Sequence, residues 1–293
     1  MARSTSDIRH TDYLAPAHAP PGLATRPTRV EPFYKSKNLY QKKLRQYVEA
    51  LSRQQEMLYA SGDQALLLIF QAMDAAGKDS TIKAVLSGVN PQGCRVHSFK
   101  PPDDEEKRHD FLWRAMPKLP MLGTIGVFNR SYYEEVLIVR VHPEQMLAPR
   151  YAGADLAALW SERHRAIAGL EAHLARNGTR IVKFFLHVSP DTQRKRLLER
   201  LDDPEKHWKF DPADLRERMR WDDYMRAYED CLQATSTPES PWYVIPADDK
   251  ENMRLIVARI VLDTLLDMGL SFPSASPALL ADMPRLRQEL ADG

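Results

Sequence analysis

The order of apolar and polar positions changes character several times along the chain, and each change marks an element. Over residues 38–60, Leu39, Leu44, Tyr47, Val48, Leu51 and Leu58 recur near helical spacing, which predicts an amphipathic helix ended by Ser61-Gly62-Asp63. Residues 65–70 (ALLLIF) are apolar at every position, the pattern of a strand covered on both faces. From there short apolar runs alternate with helical patterns. Further strands are predicted at 95–99, 124–128, 181–188 and 242–245. Helices are predicted at about 79–87, 104–116 (with Phe111 and Leu112 inward), 154–176, 190–201, 212–233 and 250–270. Asn177-Gly178 stops one of these helices and Ser189-Pro190 starts the next. Residues 1–30, rich in Pro, Ala and Thr without a period, read as a flexible arm, mobile or draped; 271–293 read as a weakly organised tail.

Five strands alternating with helices predict an α/β fold, a doubly wound parallel sheet between two helical layers. In such sheets ligands bind at the carboxyl ends of the strands. The loops after strands one, three, four and five are therefore the places to look for chemistry.

Composition narrows the field by exclusion. With 293 residues, 43% of them hydrophobic, the chain can bury a sizeable core. A net charge of +1 does not advertise a nucleic-acid or membrane partner, so a polyanion site has to be a local patch. Residues 176–220, with twelve Lys/Arg against eight Asp/Glu, are one such patch. Cys94 and Cys231 are far apart and fit neither a disulfide framework nor a zinc site. The nine histidines form no ligand cluster. No apolar signal segment opens the sequence and no run is long enough to span a bilayer, so a soluble cytoplasmic protein is expected.

After strand one the chain reads Gln71-Ala72-Met73-Asp74-Ala75-Ala76-Gly77-Lys78-Asp79-Ser80-Thr81. Small residues and a glycine can turn successive amides toward one point, at the N-terminus of the next helix, where the dipole favours an anion. Ala75, Ala76, Gly77, Asp79 and Ser80 are thus candidates to wrap a phosphate, and Lys78 can reach a transferring phosphoryl group. Against the P-loop pattern, Ala72 stands where the first Gly would be and Asp79 where the hydroxyl residue would be. Asp74 is a carboxylate inside an anion loop, so it is expected to hold Mg²⁺ or to orient the attacking phosphate.

The third strand runs into Phe128-Asn129-Arg130-Ser131-Tyr132-Tyr133-Glu134. Asn129 can offer a metal a neutral oxygen. Arg130 suits phosphate recognition, or else forms an i,i+4 surface pair with Glu134. In the basic segment after strand four, Leu197, Leu198 and Leu201 are read as one apolar face. Arg194, Lys206 and Lys209 are candidate cations of a lid at about 190–220, with Trp208 beside the last. Asp248 and Asp249 either border the nucleotide or cap the last helix, the second being favoured.

Several stretches together carry a family resemblance: residues 72–83, Ser87-Gly88-Val89-Asn90-Pro91-Gln92-Gly93, Phe128 to Glu134, Asp202-Asp203-Pro204-Glu205-Lys206-His207-Trp208-Lys209-Phe210, Trp221-Asp222-Asp223-Tyr224, and Pro241 to Pro246. In order and content they resemble the polyphosphate kinase 2 family over roughly residues 30–270. The resemblance implies a P-loop kinase-like three-layer α/β/α sandwich, a five-stranded parallel sheet with a helical lid, as one domain at 31–270. It implies Mg²⁺-dependent (or Mn²⁺-dependent) transfer between inorganic polyphosphate and AMP, ADP or ATP, with guanine nucleotides a further class, in a homodimer or homotetramer. By resemblance Asp74 and Lys78 take the phosphate-loop roles, Arg130 contacts phosphate, and Arg194 with Lys206 lines the polyphosphate side. Asn129, where many relatives carry Asp, together with Glu134 resembles the subgroup acting on both AMP and ADP. Two other readings use the same loop: an ATP-dependent nucleoside monophosphate kinase similar to thymidylate kinase, and a non-catalytic polyanion-binding protein.

Overall fold

The computed structural model describes residues 8–143 and 153–292. The first seven residues of the predicted arm and Gly293 lie outside them. Helix α1 (Lys37–Ser61) leads into β1 (Ala65–Gln71), α2 (Lys78–Val85) and β2 (Cys94–Ser98). After β3 (Ile125–Asn129) come the short α3 (Ile138–Val141), α4 (Leu156–Arg176) and β4 (Thr179–His187). Helices α5 (Pro190–Asp202), α6 (Ala213–Met219) and α7 (Trp221–Thr235) precede β5 (Trp242–Pro246), α8 (Lys250–Asp267) and α9 (Pro277–Asp292). The caps explain several boundaries. Ser36 accepts the Leu39 amide at the start of α1, and Gly62 closes it at φ 68°. Ser189 accepts the Thr192 amide at the start of α5.

The five strands form one parallel sheet in the order β2-β3-β1-β4-β5. Every residue of the central β1 is buried, as its unbroken apolar run predicts. Helices α1 and α2 pack on α8, while α4 packs on α7 and on β4, which makes the three-layer α/β/α arrangement. Phe70 near the end of β1 lies beside Asn129 of β3 and Phe184 of β4. The loops leaving β1 and β3 therefore start within a residue of one level, while β4 runs on to His187. None of the helices among the described residues is long and apolar enough to cross a membrane.

Three expectations change, and one open choice is resolved. The predicted helix at 104–116 is two short 3₁₀ turns, Glu106–Arg108 and Trp113–Lys118. Asp103 accepts the Glu106 amide at 2.8 Å and Asp110 the Leu112 amide at 2.9 Å, so the chain is capped locally twice. The predicted helix at 212–233 is two helices, because the chain steps out of helical geometry at Arg220, whose guanidinium donates to the Val141 carbonyl at 2.9 Å. Of the two options for the arm, residues 8–30 take the draped one. Leu14 bridges antiparallel to Tyr243, the Ala15 amide donates to Trp242 O at 2.8 Å, and Tyr13, Ala15 and Leu23 are buried. Glu229 of α7 accepts the Gly22 and Leu23 amides at 2.8 and 2.9 Å. The arm thus covers the outer edge of β5. The tail is the fourth case: it is helical at α9, held by Arg285 between Asp282 and Glu289, yet it buries no residue.

Because α9 buries nothing, deleting residues 277–292 should shift the melting temperature by less than about 2 °C, as surface changes do. Thermal unfolding of the shortened chain measures this.

Candidate active site

Between β1 and α2 the backbone turns through two left-handed residues, Ala75 at φ 60° and Gly77 at φ 108°. Gly77 has a second reason to be glycine: a Cβ there would lie 3.2 Å from the Cε of Met253 on α8. The turn delivers the chain to the first turn of α2, whose leading amides have no carbonyl within the helix to bond. Ser80 and Thr81 both donate their hydroxyls to Gly77 O at 3.0 Å, which ties the helix start to the turn. Lys78 folds back over the loop and its Nζ donates to Ala72 O at 2.9 Å. Burial, and then the charge of Arg130, pushes its pKa down to about 8, against the opposing pull of Asp74, Glu134 and Asp79.

Arg130 enters from the next strand. Its amide donates to Phe70 O at 3.0 Å, which carries the β1–β3 pairing one residue further. Its own φ is 63°, a conformation costly for a side-chain-bearing residue. That turn aims the guanidinium sideways, with Nη2 at 2.6 Å from Asp74 Oδ1 and Nη1 at 3.1 Å from Glu134 Oε2. Glu134, followed by Asp74, raises the pKa of Arg130, while burial opposes them. The i,i+4 pair with Glu134 is present, but it is no solvated surface pair: the Glu134 side chain is 12% exposed. Beside it, Asn129 Nδ2 donates to Asp79 Oδ1 at 2.5 Å. The structure thus gathers Asp74, Lys78, Asp79, Asn129, Arg130 and Glu134 in one cluster, wrapped by Ala75, Ala76, Gly77 and Ser80.

The three lid cations lie apart from this cluster. Arg194 pairs with Asp191 at 3.2 Å and is 65% exposed. Lys206 pairs with Asp203 at 2.7 Å, and the Lys209 ammonium sits 4.8 Å from the ring of Trp208, which is exposed. Instead, Arg196 reaches the loop. Its Nη1 donates to Ala75 O at 3.2 Å and Ala76 O at 2.9 Å; its Nη2 donates to Ala247 O at 2.8 Å and Asp248 O at 3.1 Å. Gln193 donates to Asp74 O at 3.1 Å and accepts from Arg218 at 2.8 Å, linking α6 to the loop. The reason is helical phase: Gln193, Arg196 and Leu197 face inward, while Leu198 and Leu201 of the predicted apolar face are exposed. The Ser189 cap marks where this helix starts, but no local signal in the sequence says which side of it faces inward.

Asp214 on α6 pairs with Arg200 at 3.0 Å, and burial, then the charge of Asp74, raises its carboxyl to about 6. The helices after β4 therefore pack close enough to feel the loop. Of the two aspartates after β5, only Asp249 caps α8, accepting the Glu251 and Asn252 amides. Asp248 accepts from the Thr28 hydroxyl and the Ser189 amide, each at 2.8 Å, joining arm, sheet and lid root.

Comparison with known proteins identifies the family. The family model described as polyphosphate kinase 2 matches residues 34–272, a span that holds the whole cluster. A Rhodopseudomonas palustris protein named ADP-polyphosphate phosphotransferase is 57% identical over 270 residues, covering 92% of this chain and 93% of its own. A Meiothermus ruber protein named AMP/ADP-polyphosphate phosphotransferase is 43% identical over 228 residues, covering 78% and 82%. Among solved structures, polyphosphate kinase 2 from Arthrobacter aurescens superposes with a TM-score of 0.83 at 40% identity, covering 94% of this chain and 98% of that one. Matched in sequence from before α1 to beyond α8, and in fold over nearly its full length, the chain belongs to the polyphosphate kinase 2 family.

Proposed function

We propose that the loop at 72–81 and the Arg130 turn transfer a phosphoryl group from inorganic polyphosphate to ADP, and also to AMP. The coarser statement follows from the family: the chain is an enzyme, a polyphosphate-dependent nucleotide phosphotransferase. The observation that supports the site assignment is that Lys78 and Arg130 both bond the turn after β1, close enough for their charges to interact, beside Asp74. A nucleotide phosphate oxygen attacks the terminal phosphorus of the polymer in line. A new P–O bond forms as the bond to the shortened polymer breaks. The attacking phosphate is already an anion, so no strong base is needed, and the residues act by positioning and by neutralising charge. Lys78 and Arg130 bind the transferring group, and the amides of Ala75, Ala76, Gly77, Asp79 and Ser80 wrap it. Arg194, Lys206 and Lys209 are proposed to meet the polymer on lid closure, since they are exposed and weakly tied.

The donor set fits a hard divalent cation. Two cations (Lys78, Arg130) against three carboxylates (Asp74, Asp79, Glu134) leave the cluster one negative charge in excess, which opposes an anionic substrate. Mg²⁺ takes one or two carboxylates and completes its shell with phosphates and water. Asp74, Asp79 and the Asn129 carbonyl oxygen are suited to hold it, with Mn²⁺ as a substitute. When bound it would supply charge neutralisation at the phosphates. Acceptance of ADP is supported by the 57% identical relative named for it, and acceptance of AMP as well by Asn129 with Glu134 and by the 43% identical relative named for AMP with ADP. Guanine nucleotides as acceptors, and a homodimer or homotetramer, belong to the same reading. An ATP-dependent nucleoside monophosphate kinase and a non-catalytic polyanion binder have no comparable support.

Replacing Asp74 or Lys78 by Ala should lower turnover by about 10³ while the circular dichroism spectrum and melting temperature stay near wild type. Near-normal turnover in either variant would refute the assignment. Offering AMP and ADP separately with polyphosphate, and no ATP, should give product from both; silence with AMP would confine the enzyme to ADP. The pH profile should carry a mark of Lys78. Its ammonium is charged below about 8 and loses its charge as pH rises through that value, so kcat/KM should fall on the alkaline side there. A Lys78→Arg enzyme, slower but non-titrating, should lack that fall.

A further inference from the structure

Lys183 and Glu171 form an ion pair in which both side chains have 0% exposure, in the middle of the core and away from the phosphate loop. The mechanism above makes no use of it. Burying two charges is costly, and an apolar pair of the same volume usually serves stability as well or better. The hydrogen bonds show where this pair is directed. Lys183 Nζ donates to Glu171, to Thr235 O at 2.7 Å and to the Tyr133 hydroxyl at 3.1 Å. Glu171 Oε1 accepts both the Tyr132 hydroxyl at 2.9 Å and the Tyr133 hydroxyl at 2.7 Å. Burial, and then the charge of Glu171, holds both phenols well above their ordinary pKa, so each remains a donor.

Tyr132 and Tyr133 stand two and three residues after Arg130. On the other side of the same turn, Gln71 at the end of β1 donates to Ser131 Oγ at 3.1 Å, and Ser131 Oγ accepts the Tyr133 amide at 3.1 Å. Arg130 is thus bracketed, by its amide bond to Phe70 O before it and by a buried polar network after it. A residue at φ 63° keeps that conformation only where its surroundings over-determine it. We propose that the buried Lys183–Glu171 pair, acting through the hydroxyls of Tyr132 and Tyr133, is a positioning device that fixes the left-handed turn aiming Arg130 at Asp74 and the transferring phosphoryl group. Lys183 and Glu171 are positioning residues, remote from substrate. The inference rests on the reading that Arg130 meets the phosphate.

The test is a double-mutant cycle read in kinetics. Tyr132→Phe/Tyr133→Phe removes only the two hydroxyls. Its kcat should fall about tenfold, with the KM values for ADP and polyphosphate within about twofold of wild type. In an Arg130→Lys background the same pair of substitutions should lower kcat by less than about twofold, because the side chain they position is already gone. Where the double phenylalanine variant folds poorly, adding Glu171→Leu/Lys183→Met to it, so that neither the hydroxyls nor the charges remain buried, gives a second route. This fourfold variant should fold with a cooperative melt, yet lose turnover by a similar factor and fall silent in the same background. Wild-type kcat in folded Tyr132→Phe/Tyr133→Phe, or a loss repeated in full in the Arg130→Lys enzyme, overturns the inference and leaves the site reading standing. Wild-type turnover in Arg130→Lys alone overturns the site reading, and this inference with it.

Discussion

The Arg130 guanidinium, shared between Asp74 at 2.6 Å and Glu134 at 3.1 Å, joins the end of β1 to the end of β3 and ties together the two loops that hold the candidate site. Its position follows from the fold in steps. The order β2-β3-β1-β4-β5 sets β3 beside β1, and the register places Asn129 next to Phe70. One more backbone hydrogen bond, Arg130 to Phe70 O, extends that ladder to the site. The left-handed turn then swings the side chain across to the neighbouring loop instead of along its own strand. With neither pair nor turn, Lys78 and Arg130 would sit on separate loops with no common target.

Around that pair the molecule places its backbone ties in a ring. Arg196 binds the carbonyls of Ala75 and Ala76 on one hand and those of Ala247 and Asp248 on the other, so the loop after β1 and the loop after β5 are tied together. Gln193 holds the carbonyl of Asp74, and Asp248 anchors the arm and the start of α5. With these backbone carbonyls held by Arg196 and Gln193, Lys78 and Arg130 would, in the proposed reaction, exchange side-chain partners for phosphate on a backbone already in place, which is where electrostatic preorganisation gains its advantage over water.

The fold and the centre of the site were legible in the sequence because both rest on local patterns. Residues 65–70 carry the pattern of a doubly covered strand, and small residues before Gly77-Lys78 carry that of a strand-to-helix turn with free amides, whatever the partner strands do. The misses share a different cause. Arg194 and Arg196 are two positions apart on one helix, and composition cannot say which points inward; the inward side is set by contacts with the loops after β1 and β5 and with α6. The turns at 104–116 went unread because Asp103 and Asp110 compete for backbone amides inside a stretch of helical apolar spacing. Lys183 was the plainest unread signal. A lysine in the centre of a strand covered on both faces demands a buried partner, but nothing local names Glu171 or the two tyrosines.

A crystal structure with ADP, Mg²⁺ and a non-hydrolysable polyphosphate analogue would test the central claim most directly. The account predicts a terminal phosphoryl group seated on the amides at 75–80, with Lys78 Nζ and the Arg130 guanidinium both within hydrogen-bond distance of its oxygens and Asp74 beside the metal. Phosphates bound elsewhere, with Arg130 still committed to Asp74 and Glu134 and touching none of them, would contradict it.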